Sequence, residues 1–311
     1  MSKDTAFPKD IFTSLSELMA MEKYNRLFGM QKEKRRVKTV LGGPHASKMR
    51  GRGLDFEEVR HYVNGDDIRT IDWKVTARTK KTHTRVFSEE KEKPALIIVD
   101  QSISMFFGSK KRTKSVAAAE IAALIAFRIQ KEGDRVGGIV FSDQGTDIIF
   151  PKRDRRNLLR LLEKIVQRNH ELKDLKETPF QEILKEVTKQ TRNLVTHDFT
   201  IFLISDFNRH DPQVIRSLSL LAGHNDLVLV KVYDPLEREI PSQKIIVGDQ
   251  ETQISVTGTS KQIREKFTEG FDQKFRDFET QLKRHQIPLI LIDTVRGMED
   301  QLKELFKNKT R

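Results

Sequence analysis

The 311-residue chain contains no cysteine, which excludes disulfides, thiolate zinc sites and cysteine nucleophiles and suits a reducing compartment. It also lacks any run of about 18 consecutive apolar residues. Its opening, "MSKDTAFPKDIFTSLSELMAMEKY", has no basic stretch leading into an unbroken apolar core. Neither export nor membrane spanning is therefore expected, and the expected location is cytoplasmic. Although there are eight histidines, H-E-x-x-H, G-x-S-x-G and the phosphate loop G-x-x-x-x-G-K-[ST] do not occur. No obvious nucleophile and base remain, and the protein is not expected to be an enzyme. No internal repeat or low-complexity segment is visible.

What is present is the composition of a globular protein, 37% hydrophobic and 33% charged, with a formal net charge of +12. The charge is regional: residues 1–93 carry 21 basic against 14 acidic side chains, more than half of the total excess. The runs "QKEKRRVK" (31–38) and "HASKMRGRG" (45–53) lie there, around a Gly-Gly-Pro break at 42–44. Such a region suits phosphates, an anionic membrane or an acidic protein. The runs lack interleaved aromatics and any helix-turn-helix, zinc-finger or RNP motif, so no specific nucleic acid is expected. A dock for an acidic protein and a peripheral membrane contact both stay open. Within this region, residues 11–30 place Ile11, Leu15, Leu18, Met19 and Met21 at helical spacing, which predicts an amphipathic helix over the protein's own core or on a partner.

After Pro94 the pattern changes. Apolar runs at 95–100, 135–142, 200–207, 226–234 and 288–294 read as strands buried on both faces of a parallel sheet. Helical segments alternate with them, opened by Asp154, Thr178, Asp211 and Ser260. The fold class expected is α/β: a doubly wound, mostly parallel, Rossmann-like sheet fronted by a basic N-terminal α+β module. "TDIIFPK" (146–152) reads as a short edge strand paired with 135–142, and 244–258 as a hairpin turning at Gly248-Asp249. The domains expected are residues 1–93 and 94–311.

The first strand of this series ends in an unusual way. "ALIIVDQSISM" closes on D-x-S-x-S, with Asp100, Ser102 and Ser104 spaced two apart. Asp206 ends "LISDF", and Thr178 opens the helix of "KETPFQEIL". In an open parallel sheet ligands bind at the carboxyl ends of the strands, so these groups can meet on one rim. Aspartate, serine and threonine without histidine form an all-oxygen set that selects Mg²⁺, Mn²⁺ or Ca²⁺. Thr188 and Thr191, further along the same helix, are less suitable alternatives to Thr178. Met105, Phe106 and Phe107 shape the rim or tuck beneath it.

This arrangement resembles the von Willebrand factor type A domain and its metal-ion-dependent adhesion site, with Asp100, Ser102, Ser104, Thr178 and Asp206 at the matching positions. The resemblance implies a divalent cation whose open coordination position accepts an acidic side chain from a partner. A second signature precedes it. In "GDDIRTIDWKVTAR", Gly65, Asp66, Asp67, Arg69, Ile71, Asp72, Trp73, Ala77 and Arg78 match the domain-of-unknown-function 58 family, so the likeness runs over about residues 50–311. That resemblance implies a bacterial protein, an adaptor or co-chaperone of a MoxR-type AAA+ ATPase, with other A-type-domain proteins as further partners.

Residues 51–94, read physically, form a small module. Val59, Tyr62, Ile68, Ile71, Trp73 and Val86 are expected inside, with Arg60, Asp66, Asp67, Arg69, Asp72 and Arg78 paired among themselves around an "NGDD" turn. Two competing functions rest on the N-terminal region. Asp66, Asp67 and Asp72 with Lys74 offer the carboxylates of a Mg²⁺-dependent nuclease or phosphohydrolase, and the basic runs offer nucleic-acid binding. Ion-paired turn chemistry and a solvated or acid-binding face are the expected readings. The function expected is a non-catalytic, metal-dependent protein-interaction module.

Overall fold

The computed structural model describes residues 8–25, 54–89, 93–174, 180–208, 212–238, 244–248, 253–257 and 261–307. The chain divides into two units, Pro44–Glu92 and the remainder, Met1–Gly43 with Lys93–Arg311. In chain order the elements are α1 (Leu15–Ala20), β1 (Leu54–His61), α2 (Trp73–Thr79), β2 (His83–Glu89), β3 (Ala95–Asp100) and α3 (Lys114–Glu132). Then follow β4 (Val136–Ser142), β5 (Gly145–Lys152), α4 (Arg155–Glu171), α5 (Phe180–Leu194), β6 (Thr200–Ser205), α6 (Pro212–Ala222) and β7 (Asp226–Tyr233). The last are α7 (Pro235–Arg238), β8 (Lys244–Gly248), β9 (Gln253–Thr257), α8 (Lys261–Arg284), β10 (Leu289–Asp293) and α9 (Met298–Lys307). None of the described helices is long and apolar enough to cross a membrane.

The central sheet of the larger unit has the order β10-β7-β6-β3-β4-β5, parallel throughout except for β5. Every residue of β3 and β4 is buried, as unbroken apolar runs require when helices cover both faces. Strand β5 instead alternates in burial, with Ile148 and Phe150 exposed, and runs antiparallel to β4 along the edge, as expected for 146–152. The faces sort by parity. Ile97 and Val99 point with Ala117, Ile121 and Leu124 of α3, Leu161 and Ile165 of α4, and Leu302 of α9. Leu96 and Ile98 point with Val187 of α5, Leu218 of α6 and Phe278 of α8.

Helix α4 lies close on β4 because position 138 is glycine. A Cβ there would stand 2.5 Å from a Leu161 methyl and 2.7 Å from the Ile97 carbonyl oxygen. From β3 the chain moves outward through β4 and β5, then returns to β6 on the other side of β3. The carboxyl ends of β3 and β6 therefore flank the point where strand order reverses.

The hairpin expected at 244–258 is present as antiparallel β8 and β9, its turn lying outside the described residues. One expectation changes. Residues 8–25, placed by the sequence in a single module with 51–93, belong to the larger unit. Leu18 of α1 is buried in its core, so the amphipathic stripe covers the protein's own interior. A polar ladder holds the segment: Thr13 N donates to Asn169 Oδ1 (2.8 Å), Asn169 Nδ2 to Gln101 Oε1 (2.9 Å), and Gln101 Nε2 to the Ser115 carbonyl (3.0 Å). Thr113, which caps α3, donates through its hydroxyl to Ile11 O and through its N–H to Asp10 O, each at 3.0 Å. The basic runs 31–38 and 45–53 lie outside the described residues.

Asn169 is fully buried, so Asn169→Ala strands both the Thr13 amide and Gln101. Urea unfolding is expected to show a loss of about 1–3 kcal/mol, the range for a buried group left without its partner. An unchanged midpoint would mean that the ladder contributes nothing.

Candidate metal centre

Strands β3 and β6 are hydrogen-bonded neighbours, so Asp100 and Asp206 leave the sheet side by side. Both are fully buried. Asp100 Oδ1 accepts the Ser102 N–H at 2.9 Å, turning the chain so that the Ser102 and Ser104 hydroxyls face each other at 3.3 Å. Asp100 Oδ2 accepts the Ser205 hydroxyl at 2.6 Å. The loop is fixed from both sides: Asp143, beyond β4, accepts Ile103 N at 2.6 Å, and Asp234, beyond β7, accepts Ser109 N at 2.8 Å. Asp100, Ser102 and Ser104 therefore share one loop at the end of β3, with Asp206 at the end of the neighbouring strand.

Thr178 lies outside the described residues. Of its alternatives, Thr191 spends its hydroxyl on the Val187 carbonyl at 2.7 Å, and Thr188 is buried in α5. Met105 is fully buried and Phe106 packs on Phe12 with ring centroids 5.3 Å apart, so the apolar residues tuck under the loop.

Sequence reasoning missed the cations. Lys114, first residue of α3, is 1% exposed and donates to Asp206 Oδ2 at 2.8 Å and to Glu237 at 2.5 Å. Lys231 of β7 donates to the Asp206 carbonyl and to Asn208 Oδ1. Asn208 in turn donates to Asp206 Oδ2 (3.3 Å) and Glu237 (2.9 Å). The available signal was a lysine opening an otherwise apolar, alanine-rich helix, "KSVAAAEIAALIAF", where burial demands a counter-charge.

The electrostatics follow from burial and proximity. Burial, then the neighbouring charge of Asp206, pushes the Asp100 carboxyl up to about 7. Burial acts the same way on Asp206, but Lys114 overrides it and holds the carboxyl below its ordinary value. Lys114 itself is raised because the two carboxylates outweigh its desolvation. Lys231, less fully compensated, is lowered by burial to about 8.

Two serine hydroxyls beside two buried carboxylates, one of which is reluctant to ionise without added positive charge, form a donor set that fits a hard divalent cation. Asp100, Ser102, Ser104 and Asp206 would hold it. Among the described residues there is no group of three or more His, Cys, Asp and Glu side chains that could hold a metal by themselves.

The carboxylates of the smaller unit are occupied differently. Arg60 grips Asp66 through two bonds of 2.7 and 2.8 Å, closing the NGDD turn at Gly65, whose φ of +108° suits glycine. Asp67 caps the Arg69 N–H. Asp72 caps α2 through the Lys74 and Val75 N–H groups and pairs with Arg85 at 2.9 Å. The three aspartates thus each have a local structural partner, but of the pairs expected within the set only Arg60–Asp66 forms: Asp67 bonds a backbone N–H, and Asp72 pairs with Arg85 instead.

Part of the core expectation is overturned. Ile71 is buried and Val59, Tyr62 and Val86 are half-buried, but Trp73 is 69% and Ile68 68% exposed. Trp73 opens α2 directly after its cap, and the described residues of this unit, a helix of 7 residues and a two-stranded ribbon, supply no second layer over it. Arg69 and Arg78 are likewise exposed and form no ion pair among the described residues.

A parallel sheet wound on both faces, an antiparallel edge strand and a D-x-S-x-S loop at the switch point define an α/β domain of the von Willebrand factor type A kind. The chain belongs to the family described as "Protein of unknown function DUF58", whose model matches residues 58–276. It is 25% identical over 233 residues to "Uncharacterized protein Rv1480" of Mycobacterium tuberculosis, covering 74% of this chain and 69% of that one. Similar solved structures include the conserved hypothetical protein BatB from Bacteroides thetaiotaomicron (16% identity, 70% of this chain and 98% of that one, TM-score 0.41). The SpRpn10 VWA domain is another (12% identity, 70% and 95%, TM-score 0.38).

Because the folded Asp100 carboxyl titrates near 7 against an ordinary 3.8, its contribution to stability is present at low pH and lost as pH rises through that window. In metal-free buffer, Asp100→Asn is expected to melt above the parent protein at pH 8, with the advantage shrinking on acidification. A constant difference across the titration would contradict the assignment. In the smaller unit, Asp72→Ala is expected to lower the melting temperature, through loss of the cap and the Arg85 contact, and Arg69→Ala to leave it unchanged. Equal losses would place Arg69 in a contact that the fold needs.

Proposed function

We propose that the larger unit is a non-catalytic protein-interaction module that engages an acidic side chain of its partner through a divalent cation, Mg²⁺ or else Mn²⁺ or Ca²⁺. The convergence of Asp100, Ser102, Ser104 and Asp206 at adjacent strand ends carries this reading. Thr178 is the proposed fifth ligand. The bound cation supplies an electrophilic position for the partner's carboxylate. The chain's own contribution is to hold the hydroxyls and carboxylates rigid, which the clamps from Asp143 and Asp234 support.

A non-catalytic role is supported by the caps and ion pairs in which Asp66, Asp67 and Asp72 are engaged among the described residues. The family resemblance favours a MoxR-type AAA+ ATPase as partner, with this chain as adaptor or co-chaperone in the cytoplasm.

Affinity capture from native lysate in Mg²⁺ and in EDTA, with bound proteins identified by mass spectrometry, tests this. An AAA+ ATPase retained only in Mg²⁺, and lost from a folded Asp100→Ala protein, is the expected result. A catch indifferent to both EDTA and the substitution would refute a metal-bridged contact.

A further inference from the structure

Asp206 has two possible cations and one set of oxygens. Its Oδ1 accepts the Asn208 N–H at 3.0 Å, and its Oδ2 is taken by Lys114 at 2.8 Å. Lys114 is not a surface side chain that has strayed inward. Its backbone N–H donates to the Phe107 carbonyl at 2.8 Å, and the preceding Thr113 is tied to Asp10 and Ile11, so the helix start directly beneath the D-x-S-x-S loop is fixed. The ammonium spans two carboxylates of different character: Asp206 is fully buried, whereas the Glu237 side chain, on α7, is 17% exposed. Asn208 donates to the same two acceptors and would bridge them if the ammonium moved.

A four-carbon side chain with three donors can release one acceptor while keeping the other. The two seats follow from that: one bridging Asp206 and Glu237, and one on Glu237 alone, with Asp206 Oδ2 released by the ammonium and bonded only by Asn208.

We infer that Lys114 is a resident cation of this site, competing with a divalent ion for Asp206 and withdrawing to Glu237 when the ion enters. The inference rests on the metal-centre reading and concerns what regulates that centre. Without a divalent ion, Lys114 is the cation bonded directly to the Asp206 carboxylate, which would otherwise keep only Lys231, bonded to its backbone carbonyl, as a nearby buried charge, so the site stays folded. With one, the incoming charge must exceed what the ammonium already supplies. Metal binding is thereby held weak until a partner carboxylate adds its own negative charge. Lys114 sets the affinity; the oxygens set the geometry.

The test is a titration of the full chain with Mn²⁺ alone, free ion being read by electron paramagnetic resonance, alongside thermal melting in EDTA and in Mn²⁺. Lys114→Met and Lys114→Gln remove the charge, the second retaining an N–H donor for Glu237. Both are expected to bind Mn²⁺ at least about ten-fold more tightly than the parent, since the competitor is gone. They should melt lower than the parent in EDTA and recover in Mn²⁺. Glu237→Gln removes the alternative seat without touching the ligands, and is expected to weaken Mn²⁺ binding, the opposite sign. It decides the matter should neither Lys114 variant fold.

Unchanged Mn²⁺ affinity in the Lys114 variants, or in Glu237→Gln, overturns the role given to Lys114. The metal-centre reading survives that outcome if Ser104→Ala still abolishes binding. No Mn²⁺ bound by the parent or by any folded variant overturns both.

Discussion

Two carboxylates taken out of water side by side govern much of the larger unit. Asp100 and Asp206 sit fully buried at the ends of hydrogen-bonded strands, a placement that the low dielectric of the interior makes costly unless each oxygen is bonded and the charge is balanced. Much of what surrounds them answers that cost. Ser102 and Ser205 bond Asp100, Lys114 and Lys231 bond Asp206, and Glu237 and Asn208 complete the arrangement. Even the N-terminal segment takes part, because Asp10 and Ile11 hold the cap of the helix that delivers Lys114. Remote parts of the chain are thus coupled to one rim through backbone and buried polar contacts.

The smaller unit uses charge for a different purpose. On a two-stranded ribbon there is little apolar area to bury, so ion pairs and caps shape the backbone instead. Arg60 and Asp66 close a turn, and Asp72 joins the start of α2 to Arg85 of β2. The side chains left over, Ile68, Trp73, Arg69 and Arg78, face solvent.

Much of this was legible in the residues. Unbroken apolar runs marked β3, β4, β6 and β7, and the D-x-S-x-S spacing pointed to the rim at the switch point. The local chemistry of caps was equally readable at Asp154, which bonds the Arg156 N–H. Residue type and position in the chain do not decide where Trp73 and the segment 8–25 lie. Trp73 is exposed and Leu18 is buried in the core of the larger unit, because burial depends on which surfaces are available to be covered.

Sequence alone determined the element types, the two-faced sheet and the oxygen donors, because those follow from periodicity and from chemistry carried by single residues. Only the tertiary structure decided the charge balance at the rim. Lys114, Lys231 and Glu237 are separated from Asp206 in the chain, and although the apolar helix after Lys114 signals its burial, no local pattern says which carboxylates balance it. Folding brings them within hydrogen-bonding distance, and a lysine stays charged in an interior when the carboxylates beside it outweigh the loss of water.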